Sequence, residues 1–287
     1  MQSPISIQNP EYKIQNSHLI PLFLCFASLA LQGCVTPGDG PQPNRVSTGQ
    51  EIELGQQMAA EVEKEEKRLN NPAIQKYVSE IGQRIAKQAD RQDVPYAFTV
   101  IDNPETINAF ALPGGQMYIY TGLMKMCENE AQLASVMAHE IGHVAAYHHG
   151  EMITRQMNAE LVQSILVGRS KSELGKITGQ LMGAGVAMWF SRGQENESDT
   201  LGMEYLFRAG YKPEAMVDFM NKLAKYEQEK GGGGPQPRVL KLFASHPATT
   251  ERIAHLEALL AKYPIELRNQ NQNHFDRYKT NVLDQIK

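Results

Sequence analysis

The sequence predicts an α+β fold, mainly helical, with a small β-sheet beside one long central helix. Three observations carry this. Apolar residues recur at helical spacing through most of the stretch from Thr48 to Leu260. Strand-like patterning falls between Tyr96 and Tyr120, around a Pro113-Gly114-Gly115 turn. The third is Ala138-His139-Glu140-Ile141-Gly142-His143, which reads H-E-x-x-H inside a run of helical character.

The bulk composition sets the frame. A chain of 287 residues holds one large domain or two small ones. It is 41% hydrophobic and 21% charged, as ordinary globular proteins are. The net charge of −4, with no basic stripe or tail, argues against a nucleic-acid partner.

The first segment is read as processing signal, not fold. Leu19 to Leu31 is apolar, too short and interrupted to span a membrane, and of the length of a signal-peptide core. It runs into Leu31-Gln32-Gly33-Cys34, which resembles a bacterial lipobox, although Gln32 is large and Lys13 is the leader's one positive charge. An ordinary cleaved signal or an N-terminal anchor is the plainer alternative. The expected organisation is a signal peptide over 1–33, a lipidated Cys34 with a Pro/Gly-rich tether over 34–46, and a folded body over 47–287. Val35, where an Asp would favour inner-membrane retention, leans towards the periplasmic side of the outer membrane. On this reading Cys127 is the one remaining thiol, a buried core residue.

Within the body, the spacing predicts a helix over 48–69, and a second from the Asn71-Pro72 start to about Ala89. Tyr96 to Ile101 reads as a strand, and 107–120 as two strands joined by the Pro-Gly-Gly turn. Thr121-Gly122-Leu123 ends the sheet, a brief helical turn following. Asn129 caps the long helix that carries the H-E-x-x-H motif, with Gln132 placed to complete a capping box. An amphipathic helix is expected over 151–168. Gly175, Gly179 and Gly183 then place a bare stripe on an apolar segment, read as a core helix rather than a membrane-touching hairpin. Helices follow over 194–209 and 213–229, then a mobile Gly231 to Gly234 loop, then a helix from Thr249 or Thr250 with Ile253, Leu256, Leu259 and Leu260 inward. The polar tail after Tyr263 has no readable role.

His139 and His143 lie four apart, so a helix presents both to one metal ion, and Glu140 between them can handle the proton of a metal-bound water. A catalytic zinc needs a third protein ligand. His149 completes the spacing H-E-x-x-H-x-x-x-x-x-H, but Ala146 stands where the comparable metzincin pattern has glycine. If the helix continues, His149 lies roughly 15 Å along its axis, out of reach. His148 and His149 then read as helix-end residues near the negative end of the dipole. The acidic cluster Glu195, Glu197, Asp199 is the better source. Glu195 and Asp199 share a helical face, one to ligate and one to orient a ligating histidine, and Gly202 on that face permits close packing. Spacing alone leaves Glu197 open.

His139-Glu140-x-x-His143, Glu195-x-x-x-Asp199, Asn108-Ala109-Phe110-Ala111-x-Pro113-Gly114-Gly115, and Ser245-His246-Pro247 with Glu251-Arg252-Ile253 together resemble the HtpX-like and CAAX-prenyl-protease zinc endopeptidases, peptidase family M48. The resemblance covers about Ser47 to Leu260 and is nearest the periplasmic lipoprotein branch. It implies a zincin-like (gluzincin) domain with one zinc per chain, ligated by His139, His143 and Glu195, and Glu140 as catalytic base. Ser198 departs from the family's usual alanine. By the same analogy His246 is a fourth ligand or a transition-state donor, and Arg252 a partner of the acidic site. The implied reaction is hydrolysis of peptide bonds in unfolded or misassembled envelope proteins. The substrate is expected to add to the strand Asn108, Ala109, Phe110, Ala111, or to the strand from Gln116 to Tyr120. The implied partners are polypeptides, including outer-membrane proteins, and a lipid anchor. The competing reading is a zinc-stabilised, chaperone-like binding protein. Glu140 argues against it, because a structural site has no use for an acid there.

Overall fold

The computed structural model of the chain describes residues 46–156, 190–230 and 246–286. The expected signal segment, Cys34, most of the tether, the far part of the 151–168 helix, the Gly175 to Gly183 stripe and the Gly231 to Gly234 loop lie outside the described residues.

Helix α1 (Thr48–Glu65) starts at a reciprocal capping box between Ser47 and Gln50. It stops four residues short of the predicted Leu69. Arg68 instead bridges Ile101 in antiparallel sense, and the Leu69 amide donates to the Val100 carbonyl at 2.9 Å. Gln75 explains the change. From α2 (Pro72–Ala86) it bonds the Leu69 carbonyl (3.0 Å), the Val100 carbonyl (2.9 Å) and the Val100 amide (3.0 Å), which fastens residues 68–69 to the sheet edge. Asn71 caps α2 as expected.

The sheet comprises β1 (Ala97–Ile101), β2 (Ala109–Ala111) and β3 (Gln116–Tyr120) in the order β1-β3-β2. β1 runs parallel to β3 and β2 antiparallel to it. The period of two divides its residues between two buried faces. Phe98, Val100, Ala109, Ala111, Met117 and Ile119 join the main core with α2 and α4 (Glu130–Ala145). Ile101, Phe110, Leu112, Tyr118 and Tyr120 meet Leu54, Met58 and Val62 of α1. Val46, expected in the tether, packs into this second cluster. At the β2–β3 turn Gly114 and Gly115 have φ of 76° and 93°. A Cβ on Gly114 would stand 2.6 Å from Ile52 Cα, so α1 also docks against this turn.

Helix α3 (Thr121–Met126) leads to α4. The Asn129 carboxamide accepts from the Gln132 amide at 3.0 Å, but Gln132 turns to the Glu128 amide (2.8 Å) and does not close the predicted box. Every residue of α4 is buried, which makes it the central helix of the domain. It ends at Ala145. Tyr147 has a φ of 59°, and a new helix α5 (His148–Gln156) starts three residues before the predicted position. Helices α6 (Arg192–Arg208), α7 (Glu214–Lys230) and α8 (Thr250–Leu260) follow close to expectation. The α4–α6 crossing is tight. A Cβ on Gly202 would lie 3.0 Å from the His139 backbone, and one on Gly142 would lie 2.8 Å from the Ser198 carbonyl oxygen.

The polar tail proves to be structural. After α9 (Ile265–Arg268), α10 (Phe275–Tyr278) runs into a π-helical turn, Lys279–Leu283. Tyr278 and Val282 are fully buried in the main core, and the Tyr278 hydroxyl donates to the Met124 carbonyl at 2.6 Å. Cys127 is buried too, and burial pushes its thiol up. Among the described residues no helix is long and apolar enough to cross a membrane.

Candidate metal centre

Two segments distant in sequence converge on the second half of α4. Residues four apart on one helix face put the Nε2 atoms of His139 and His143 3.1 Å from each other. The tight crossing of α6 brings Glu195 in from the side, its Oε2 3.5 Å from His139 Nε2 and its Oε1 3.5 Å from His143 Nε2. His246, just before α8, completes the group: its Nδ1 lies 2.8 Å from Glu195 Oε1 and 3.3 Å from His139 Nε2. Ligand atoms of His139, His143, Glu195 and His246 all lie within 4.8 Å of one another, and all four residues are buried. Imidazole nitrogens with one carboxylate are the donors a zinc ion takes, so this set fits such an ion.

A second layer holds these side chains. Asp199, one turn along α6 from Glu195, places Oδ1 2.9 Å from His139 Nδ1. Arg252 from α8 grips Asp199 with two nitrogens (2.9 and 2.7 Å) and reaches Glu195 Oε2 at 2.7 Å. It also donates to the Pro247 carbonyl at 3.2 Å, which ties the His246 segment to the cluster. Ser198 bonds the His139 carbonyl, so the serine adds a link between α6 and α4. Phe190 stacks on His143 with ring centroids 3.9 Å apart.

The charges follow from these contacts. Burial works against a charged His139, but the Asp199 and Glu195 carboxylates outweigh it and raise its pKa to about 9. For His143 burial wins, and its pKa falls well below the usual imidazole value. Burial disfavours the Glu195 carboxylate, yet the surrounding histidines, His246 foremost, hold its pKa well below the usual range. Arg252 does the same for Asp199 against burial.

Glu140 stands between this group and the sheet. The Ala111 amide donates to Glu140 Oε2 at 3.1 Å, and Glu140 Oε1 lies 3.5 Å from His246 Nε2. That Oε1 atom is buried without a hydrogen bond among the described residues. Beside it, Val136, Met216, Phe219, Met220 and Leu223 line an apolar cavity that opens onto His139, Glu140 and His246.

The other sequence candidates fall as follows. His149 is outside the group, and its Nε2–H donates to the Ala111 carbonyl at 3.1 Å. The helix-end reading of His148 and His149 is wrong: both are buried, at the start of α5. The assumption of a continuous helix fails with it, because α4 ends before His149. Glu197 is also outside the group, with its side chain 61% exposed. Asn108, Ala109, Phe110 and Ala111 form and flank β2, the strand at the sheet edge nearest Glu140. Sequence reasoning missed Phe190 and Tyr147, and no spacing signal marks either.

Comparison with known proteins gives the same frame. The chain is 34% identical over 218 residues to the beta-barrel assembly-enhancing protease of Escherichia coli (strain K12), covering 73% of this chain and 43% of that protein. It is 30% identical over 219 residues to the protein of that name from Yersinia pestis, covering 73% and 43%. It is 30% identical over 200 residues to the mitochondrial metalloendopeptidase OMA1 of Schizosaccharomyces pombe, covering 69% of this chain and 56% of that one. The chain thus spans about half the length of these relatives. The description "Peptidase family M48" matches residues 72–260, a stretch that holds β1 to β3, His139, Glu140, His143, Glu195, His246 and Arg252; the chain belongs to that family.

Proposed function

We propose that the chain is a zinc-dependent metalloendopeptidase that cleaves unfolded or misassembled proteins of the cell envelope. The observation that carries this is the position of Glu140, between a converging set of metal donors and the backbone of an edge strand. His139, His143 and Glu195 would hold the ion, with Asp199 and Arg252 fixing their orientation. When bound, zinc supplies a Lewis acid that acidifies water and polarises a carbonyl. Glu140 takes the proton of the attacking water and passes it to the leaving amine. Asn108 and Leu112 bond β3, so Ala109 and Ala111 direct their backbone groups away from it. Those of Ala111 are held by Glu140 and His149 and must be released before an extended substrate adds to this edge and is read by its main chain. The apolar cavity lined by Met216, Phe219 and Leu223 presents an apolar surface to a side chain next to the scissile bond.

The arrangement has the features of a closed form. β2 is buried along its length, and His246 sits within ligand distance of the other donors. His246 therefore acts as a fourth ligand that must move aside for substrate, and His246→Ala should raise cleavage of casein. Unchanged or lowered cleavage would refute the inhibitory role. The name of the Escherichia coli relative, a beta-barrel assembly-enhancing protease, favours proteins of β-barrel assembly as substrates, and the Leu31 to Cys34 motif favours a lipid-anchored periplasmic location. The decisive comparison is wild type against Glu140→Gln, with zinc content measured in both. Loss of cleavage with zinc retained supports the peptidase. Equal cleavage removes it and leaves the zinc-stabilised binding protein.

A further inference from the structure

His143 and His139 are held in different ways, and the difference assigns a role to a residue outside the donor group. To offer Nε2 to a metal, a neutral histidine carries its proton on Nδ1. For His139 that Nδ1 faces the Asp199 carboxylate directly. For His143 it faces another histidine: His143 Nδ1 and His148 Nδ1 are 2.8 Å apart. His148 must then accept at Nδ1 and carry its own proton on Nε2. Its Nε2 lies 3.3 Å from Glu197 Oε2, a partner that accepts that proton's hydrogen bond. One assignment of protons satisfies the whole row, from the donor group through His143 and His148 to a carboxylate at the surface.

The geometry points to His148 as the positioning residue of His143, with Glu197 as its outer anchor. This rests on the zinc reading of the site. The placement is built, not incidental. Five residues along a continuous helix would turn His148 roughly 140° away from His143. Tyr147, with its φ of 59°, breaks that path and swings His148 back. The break is itself held: the Arg91 guanidinium lies 3.9 Å from the centre of the Tyr147 ring and donates to the Val144 carbonyl at 3.0 Å. Arg91 is buried and paired with buried Glu51 at 2.9 Å. Glu197 thus reaches the metal site indirectly, as support for a ligand rather than as a ligand.

The test is the zinc dissociation constant of the full chain by chelator competition, with the absorption spectrum of the cobalt-substituted protein. An asparagine at 148 keeps an acceptor near the Nδ1 position, and a leucine does not. His148→Leu should weaken zinc binding about 10–100-fold and alter the cobalt spectrum, as loss of a ligand's hydrogen-bond partner does. His148→Asn should stay within about threefold of wild type on that scale. Equal affinity in His148→Leu and wild type overturns the assignment, and so does an equal loss in both variants, which would mean that shape alone matters. Should His148→Leu fail to fold, Glu197→Ala decides at an exposed position: weakened zinc binding supports the relay and unchanged binding overturns it. If wild type itself binds no zinc, it is the zinc reading that fails.

Discussion

The two ends of α4 carry two buried polar clusters on opposite terms. At the N-terminal end Glu130 is fully buried, and its carboxylate is bonded by Tyr77, by Tyr211 at 2.7 Å and by Arg277 at 3.2 Å. Burial, with the carboxylate beside them, pushes both phenols up, so they stay protonated donors. In the second half of the same helix, four donors crowd one point, and Glu140 Oε1 is buried without a hydrogen bond among the described residues. A satisfied buried network rigidifies a fold; a crowded and incompletely bonded one destabilises it and is kept for another purpose. The first cluster anchors the helix by tying it to α2 and the tail. The second is what the anchored helix presents.

The contrast can be broken from either end. The largest effect should come from Glu140→Gln, with cleavage down about 10²–10⁴-fold, the span attributed to a positioned general base. Its urea midpoint should not fall, because no satisfied bond network is lost. Glu130→Ala should do the reverse. It strands two tyrosines and Arg277, so urea denaturation should show a loss of about 3 kcal/mol, while zinc affinity of the folded protein stays at the wild-type level. Gly202→Ala, at the α4–α6 crossing, should touch both properties. It should cost about 1–3 kcal/mol through the clash with the His139 backbone, and weaken zinc binding as Glu195 is pushed outward.

The effect smallest at neutral pH is that of His149. Burial lowers its pKa from 6.5 to about 3, so the folded state binds fewer protons than the unfolded state between those values. Its contribution to stability is complete above about pH 6.5 and is lost as pH falls towards 3. A urea midpoint followed from pH 7 to pH 4 should decline, and His149→Leu should flatten that decline.

Much of this was legible in short-range patterns. The caps at Asn71 and Asn129, the turn at Gly114-Gly115, and the pairing of His139 with His143 are local, and the chain's own spacing states them. Glu195 and Asp199 were reachable because one helical turn separates them and Gly202 marks the close crossing. What stayed hidden depends on partners distant in sequence. Leu69 leaves its helix because Gln75 and Val100 offer it bonds. The break at Tyr147 is held by Arg91, so neither His148 nor the end of α4 could be placed from periodicity. Tyr278 and Val282 lie in a polar tail, and only the tertiary fold shows that they enter the core.

The role of α4 depends on which side chains meet the metal. Anomalous diffraction at the zinc absorption edge, from crystals of the zinc-loaded protein, reads this directly. It should show one zinc per chain, with His139 Nε2, His143 Nε2 and Glu195 in the shell, His246 as the fourth ligand when no substrate is bound, Glu140 outside it, and His148 against His143 Nδ1. A peak with His149 or Glu197 in the shell, or no peak near α4, would contradict it.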